Sequence, residues 1–171
     1  MIYINIGSNL NSQNGDRTFN IKKAIDLIRV EKIKVIKRSS IYETPSYPNK
    51  KNPKFLNICL LIESNLKPQV LIKKFTIIEK KLQRERGLKN QPRTCDIDII
   101  DYKGKKIASK NLTVPHPRAH LRNFVLFPLR EISAEWIHPI LNKKIDYLIN
   151  KLRVNLRNEI TKIKETAIID K

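Results

Sequence analysis

The sequence has little glycine, few acidic residues and only two cysteines, and it has no long apolar segment. Its 171 residues contain 4 glycines and 16 Asp and Glu, against 35 Lys and Arg. No apolar run approaches the roughly 20 residues that a membrane-spanning helix requires, so we expect no membrane-embedded segment. With 40% hydrophobic residues the chain can bury a core, which argues against a disordered protein and suits one compact domain.

Several familiar sequence motifs are also missing. There is no CxxC pair, so a structural zinc site is not predicted, and Cys59 and Cys95 lie in apolar segments typical of buried, reduced thiols. The N-terminal residues lack the basic start and small-residue cleavage site of a secretory signal, which predicts a cytoplasmic protein. Neither a Walker A motif nor GxGxxG is present, so any bound nucleotide must be held by side chains.

The excess of basic residues gives a formal net charge of +19, and such a surface attracts polyanions. The chain is also rich in Ile and Asn, and AT-rich codons specify both of these residues as well as Lys. Compositional bias therefore explains most of the charge, and we do not expect nucleic acid to be the main partner. A basic module that binds single-stranded RNA is the alternative interpretation.

Hydrophobic periodicity predicts an α+β fold with the element order β-α-β-β-α-β. This order is typical of a ferredoxin-like sandwich, with the helices on one face of the sheet. A C-terminal helical extension completes a domain over residues 1–152, and residues 153–171 form a basic tail. The predicted strands are 2–6, 33–42, 55–63 and 93–102, the helices are 16–30, 68–86, 124–132 and 142–152, and a loop covers 111–123.

Asp96 and Asp98 are the sharpest local signal for chemistry. On a strand, residues two apart share a face, so the two carboxylates project together and repel each other. Such a pair suits Mg²⁺, which prefers oxygen ligands, although two acids on a solvated edge strand are the structural alternative. Metal-binding carboxylates among arginines indicate phosphoryl transfer. The basic residues near this pair in the sequence are Arg84, Arg86, Arg93, His116, Arg118 and Arg122.

Two aromatic residues indicate a second subsite. Phe55 begins a predicted strand, and Asn57 follows two residues later on the same face, whereas Phe124 opens a predicted helix. Two aromatic rings can hold a flat heterocycle between them while an amide hydrogen-bonds to its edge. The pattern favours a flat heterocyclic ligand, and burial of each Phe in the core is the structural alternative.

These residues fall in a series of motifs that resembles one enzyme family. Over residues 2 to about 150, the chain resembles the 6-hydroxymethyl-7,8-dihydropterin pyrophosphokinases of folate synthesis. The combination of PRxxDxDI with LTVPHPR about 13 residues later is the most specific part. The motifs are IGSNL at 6–10, YETP at 42–45, FLN at 55–57, IE at 78–79, RER at 84–86, PRTCDIDI at 92–99, LTVPHPR at 112–118 and RNFVLFPL at 122–129.

The resemblance implies transfer of diphosphate from ATP to the hydroxymethyl group of 6-hydroxymethyl-7,8-dihydropterin, with release of AMP. It also implies two Mg²⁺ ions, held by Asp96 and Asp98, and we expect a monomer that acts on these small molecules. The catalytic residues it implies are Arg84, Arg93, Asp96 and Asp98. The ATP-binding residues it implies are Glu79, Arg84, Arg86, Arg93, His116 and Arg122. The pterin-binding residues it implies are Asn9, Thr44, Ser46, Phe55, Asn57, Asp96 and Phe124.

The chain departs from the family pattern near its catalytic arginines. Gln83 stands where the family usually has Gly, and residues 90–93 read Asn-Gln-Pro-Arg where the family usually has Trp-Gly-Pro-Arg. The family's Trp lies on a mobile loop that closes over the substrates, and Gln91 stiffens that loop relative to Gly. We therefore expect slower turnover, and a degraded, non-catalytic family member is a second alternative.

Overall fold

The computed structural model describes residues 1–85, 87, 90–109 and 111–163, which form a mixed fold with antiparallel strand pairs and five α-helices. A 3-10 turn at Ala119–Leu121 precedes the third helix. The elements in chain order are β1 (Ile2–Ser8), α1 (Arg17–Val30), β2 (Lys34–Arg38), β3 (Tyr42–Thr44), β4 (Phe55–Glu63), α2 (Pro68–Lys81), β5 (Asp96–Tyr102), β6 (Ile107–Ser109), β7 (Leu112–Val114), α3 (Asn123–Ile132), α4 (Ile145–Lys151), α5 (Val154–Asn158) and β8 (Thr161–Lys162).

The main sheet is built around β1 and β4, which pair with each other at its centre. The strand order is β5-β1-β4-β3-β8, and β2 also pairs with β4. β3 pairs with the start of β4 and β2 with its end, so the two short strands together line one edge of β4. Because β1 is antiparallel to both β4 and β5, its C-terminal end lies beside the N-terminal ends of these strands.

One face of the sheet is covered by α1 and α2. Alternate residues of the central strands, such as Ile4 and Ile58, are buried there in one cluster with Phe75 of α2. The Asp16 carboxylate caps α1 as predicted, because it accepts the Phe19 N–H at 2.7 Å. These contacts place α1 and α2 where the β-α-β-β-α-β order predicts them.

The other face is covered by α3 and α4, which follow the β-α-β-β-α-β order and belong to the predicted C-terminal helical extension. Tyr3, Leu61 and Ile100 project to this side and are buried with Leu129 and Trp136. Strands that are apolar on both faces require cover on both. The cover stops short of the end where β1 meets the starts of β4 and β5, and polar residues occupy that end.

Several predicted boundaries differ from the structure: the predicted strand 33–42 is divided into β2 and β3, and the predicted strand 93–102 begins at Asp96. The second helix ends at Lys81 and not at 86, because the chain turns at Gln83, whose φ is +61°. The segment 111–123, predicted as a loop, contains β7 and the 3-10 turn. The predicted tail contains α5 and β8, and β8 pairs with β3.

Cys59 and Cys95 are buried free thiols, as predicted. Burial raises the pKa of each thiol, which keeps them protonated at neutral pH. Within the described ranges, the helices are too short or too polar to cross a membrane.

Candidate active site

The floor of the candidate site is the uncovered end of the sheet, on the α3 side. Gly7 of β1 lies opposite Asn57 of β4 and Asp96 of β5. Asn5, on the same face, lies opposite Asp98. The strands that carry Asn57 and Asp96 are two strand spacings apart, roughly 10 Å. Gly7 therefore lies between an amide on one side and two carboxylates on the other, and the side chains of Asn57 and Phe55 approach closely above it.

Asp96 is held by two of the arginines predicted to be catalytic. Arg84 Nη1 donates to Asp96 Oδ1 at 2.6 Å, and Arg93 Nη2 lies 2.6 Å from Asp96 Oδ2. Arg84 also pairs with Glu79, whose Oε1 accepts the Ile97 N–H at 2.8 Å. Glu79 is only 4% exposed, so it holds Arg84 from the core side of the cleft.

Asp98 lies on the same face as Asp96, as the spacing predicts. Its Oδ2 atom is 3.5 Å from Arg122 Nη1 and 3.9 Å from His116 Nε2. Enclosure in the cleft, together with repulsion from Asp96, raises the pKa of Asp98 to about 7. Near neutral pH a fraction of the Asp98 side chains is therefore protonated, and a bound divalent cation would displace that proton.

His116 and Arg122 form the wall beside Asp98. Burial, followed by the charges of Arg122 and Arg118, lowers the pKa of His116 to about 4, so the ring is neutral at neutral pH. Its Nδ1 accepts the Arg118 N–H at 3.1 Å, which assigns the ring proton to Nε2. Nε2 lies 3.1 Å from Arg122 Nη1, so two N–H donors meet here. An anionic oxygen is the group that would accept from both.

The two aromatic residues each contact one of these arginines. The guanidinium carbon of Arg93 lies 4.9 Å from the centre of the Phe55 ring, and that of Arg122 lies 5.3 Å from the centre of the Phe124 ring. Both rings are partly exposed. These cation–π contacts place the two aromatic rings directly beside the arginines that surround Asp96 and Asp98.

Three further residues predicted to bind pterin, Asn9, Thr44 and Ser46, lie on the side of the site near Phe55 and Asn57. Asn57 Nδ2 donates to Thr44 Oγ1 at 3.3 Å. Asn9 Nδ2 donates to Ser46 Oγ at 3.1 Å, and Asn9 Oδ1 accepts the Arg93 N–H at 2.7 Å. Asn9 is 1% exposed, so its side chain ties the two loops together.

The oxygen donors on the floor fit Mg²⁺. Asp96 and Asp98 supply two carboxylates, and among the described residues no group of three or more His, Cys, Asp or Glu side chains is arranged to hold a metal ion. Mg²⁺ commonly binds through one or two carboxylates, and substrate phosphates and water complete its coordination. The arrangement therefore suits a metal that arrives with a phosphorylated substrate.

Sequence reasoning did not single out Asn5 or Gly7 as site residues. Asn5 is 4% exposed, and in the orientation that satisfies its amide, Nδ2 donates to the carbonyl groups of Ile58 and Phe124, each at 3.2 Å. Asn5 therefore joins the start of α3 to the floor. Gly7 lies within the IGSNL motif, and that motif was the available signal. Arg86, predicted to bind ATP, lies outside the described residues.

Comparisons with known proteins find relatives of similar length and relatives that are much longer than this chain. The 2-amino-4-hydroxy-6-hydroxymethyldihydropteridine pyrophosphokinase of Aquifex aeolicus is 38% identical over 144 residues, which cover 84% of this chain and 87% of that protein. The Bacillus subtilis protein of the same name is 39% identical over 134 residues, 78% of each chain. The folic acid synthesis protein fol1 of Pneumocystis carinii is 37% identical over 151 residues, but this chain spans only 20% of its length.

A solved structure and a family profile agree with these relatives. The crystal structure of Plasmodium falciparum HPPK-DHPS has a TM-score of 0.70 and 16% identity, over 94% of this chain and 47% of that chain, which shows a shared fold. The profile of the 7,8-dihydro-6-hydroxymethylpterin-pyrophosphokinase family matches residues 3–134. The chain belongs to the 7,8-dihydro-6-hydroxymethylpterin-pyrophosphokinase family.

Proposed function

We propose that the chain transfers the β,γ-diphosphoryl group of ATP to the hydroxymethyl oxygen of 6-hydroxymethyl-7,8-dihydropterin, in folate biosynthesis. The oxygen forms a bond to the β-phosphorus as the bond from that phosphorus to the α-phosphate oxygen breaks, and AMP leaves. The observation that carries this proposal is one cleft with two carboxylates between arginines and a pair of aromatic rings. We propose in addition that the enzyme is a monomer and lies in the cytoplasm.

The proposed fold for this chemistry is a ferredoxin-like sandwich with α3 and α4 added. If β2 and β3 are taken as one interrupted strand, the chain follows the order β-α-β-β-α-β through β5. The strand order with β5 beside β1, and β1 beside β4, agrees with that arrangement.

The arginine side of the cleft would bind the triphosphate. Arg84 and Arg93 exchange the Asp96 carboxylate for phosphate oxygens, and Glu79 keeps Arg84 in place during the exchange. The Nε2–H of His116 and the guanidinium of Arg122 donate to a further phosphate oxygen. Guanidinium groups fixed in this way stabilise the charge that develops on the transferred group.

The aromatic side of the cleft would bind the pterin between Phe55 and Phe124. Asn57 gives its amide hydrogen to Thr44, and its Oδ1 lies 3.1 Å from where a Cβ of Gly7 would be. That oxygen therefore borders Gly7, and in this proposal it accepts an N–H of the ring edge. Ser46, held by Asn9, completes the wall of this subsite.

Asp96 and Asp98 would hold the two Mg²⁺ ions, which offset phosphate charge and make a bound hydroxyl easier to deprotonate. The carboxylate oxygens of the same two residues are the acceptors for the hydroxyl proton. His116 is a weak base, because its pKa lies near 4, and it serves as a neutral donor. Most of the acceleration then comes from positioning and charge stabilisation.

Formation of AMP tests the proposal. The full chain is mixed with ATP, Mg²⁺ and 6-hydroxymethyl-7,8-dihydropterin, and AMP and the pterin diphosphate are quantified. We expect equal amounts of both products, and a fall of about 10²- to 10³-fold in turnover for Arg93→Ala. Asp98→Ala should abolish turnover, and Asp26→Ala, at an exposed acid on α1, is the matched control. A folded chain that yields no AMP would overturn the proposal.

A further inference from the structure

The segment after α4 passes the start of α3 and then pairs with β3. Residues 153–163, here called the C-terminal strap, contain α5 and β8. Lys162 of β8 pairs with Tyr42 of β3, and the Ile163 N–H donates to the Ile41 carbonyl at 2.9 Å. β3 carries Thr44, so the strap is bonded to the strand that supports the aromatic side of the cleft.

The middle of the strap is bonded to the start of α3 through Asn123. This side chain is 5% exposed, and its Nδ2 donates to the Leu156 carbonyl at 2.6 Å. Its Oδ1 accepts the Phe124 N–H at 2.7 Å. Asn123 therefore links the strap directly to the backbone that carries one of the two aromatic rings.

Two ion pairs fix the strap to the same two walls. Glu159 pairs with Lys50, which lies in the loop between β3 and β4 that also carries Ser46. Lys162 Nζ lies 3.2 Å from Glu131 of α3, and Glu131 accepts the Tyr42 hydroxyl at 2.7 Å. The strap thus contacts both the strand-and-loop wall with Phe55 and the helical wall with Phe124.

We propose that the C-terminal strap sets the separation of the two aromatic walls, and that Asn123 is the positioning residue through which it holds Phe124. The proposal rests on the pterin subsite proposed above. A strap that joins both walls fixes their spacing before the substrate arrives, and preorganisation of this kind favours binding. Loosening the strap should therefore weaken pterin binding more than nucleotide binding.

Asn123→Ser is the sharpest variant. Serine keeps an oxygen that can accept the Phe124 N–H, but it is too short to reach the Leu156 carbonyl, and it adds no charge. A second variant ends the chain after residue 160, which removes β8 and residues 163–171 and leaves α5 in place. Asn150→Ser, at an exposed position on α4, is the matched control for composition.

The measurements are the Kd for the pterin in the presence of Mg²⁺ and a non-hydrolysable ATP analogue, the Kd for the analogue alone, and steady-state kinetics. We expect both strap variants to weaken the pterin Kd by about 5- to 10-fold, the loss of about one hydrogen bond. KM for the pterin rises in step, while kcat and the analogue Kd stay within about twofold of wild type. The Asn150→Ser protein behaves as wild type.

Three results would overturn the proposal: an unchanged pterin Kd, an equal fall in both affinities, or a loss in kcat alone. If the shortened chain does not melt cooperatively, Asn123→Ser decides by itself. Phe124→Ala separates this test from the proposed subsite. If Phe124→Ala leaves pterin binding intact, the subsite assignment is wrong; if it weakens binding and the strap variants do not, only the strap proposal is wrong.

Discussion

Replacement of Asp98 by Asn should stabilise the substrate-free protein while it removes activity. The pKa of Asp98 is raised to about 7, roughly three units above the ordinary value near 3.9. The folded state therefore holds the proton more tightly than the unfolded state. The resulting stability is complete below about pH 4 and is lost as the pH rises through 7. Asn resembles the protonated acid at every pH, so the variant avoids this loss.

The size of the effect follows from the shift and the exposure of the side chain. Three pKa units correspond to about 4 kcal/mol in the absence of screening. Asp98 is 35% exposed, so solvent reduces the repulsion, and we expect about 1–2 kcal/mol of stabilisation at pH 8. For a chain of this size the melting temperature should rise by about 3–6 °C.

Thermal unfolding in EDTA, without substrates, at about pH 5, 6, 7 and 8 measures this effect. The gain for Asp98→Asn should be largest at pH 8 and should shrink steadily towards pH 5. Asp96→Asn is the matched control on the same strand face. It should lower the melting temperature, because it removes the carboxylate that pairs with Arg84 and Arg93 at 2.6 Å. A lower melting temperature for Asp98→Asn at pH 8, or a difference that does not change with pH, would refute the reasoning.

Three further results are expected. Gly7→Ala places a Cβ 3.1 Å from Asn57 Oδ1 and narrows the floor. The pterin Kd, measured by fluorescence titration, should therefore weaken at least several-fold, with little change in the Kd for an ATP analogue. A pterin Kd equal to that of wild type would show that Gly7 is not part of the site. Trp136→Phe loses the 2.8 Å bond from the indole to buried Asp101, and chemical denaturation should show a loss of about 1–3 kcal/mol, which an unchanged midpoint would contradict. Removal of Mg²⁺ with EDTA should stop AMP formation, and excess Mg²⁺ should restore it; turnover without divalent cations would exclude the metal assignment.

Much of the fold could be predicted because its signals are local. The apolar segment 55–63 predicts β4, and Asp16 predicts the capped start of α1; both agree with the structure. The end of α2 could not be predicted, since Gln83 adopts the left-handed conformation that glycine usually signals. Strands of two or three residues, such as β7 and β8, are too short for alternation to reveal.

The site shows the same division between local and distant information. Asp96 and Asp98 share a face because strand geometry requires it, so their pairing could be predicted from spacing alone. The roles of Asn5 and Asn123 depend on carbonyl groups of Phe124 and Leu156, far away in the chain. Periodicity also shows which residues are buried but not which face of the sheet a later helix covers, so the side on which α3 packs could not be predicted.

The basic character of the chain has a consequence at the open edge of the sheet. β2 runs along the end of β4, most of its residues are exposed, and its register shifts between Val35 and Lys37. An unpaired strand edge is a template on which a second copy could add its own strand. The irregular pairing and the lysines of β2 oppose that association, so charge that we attribute to codon bias would also help to prevent edge-to-edge aggregation. Replacing Lys34 and Lys37 with Thr would test this by light scattering at high protein concentration.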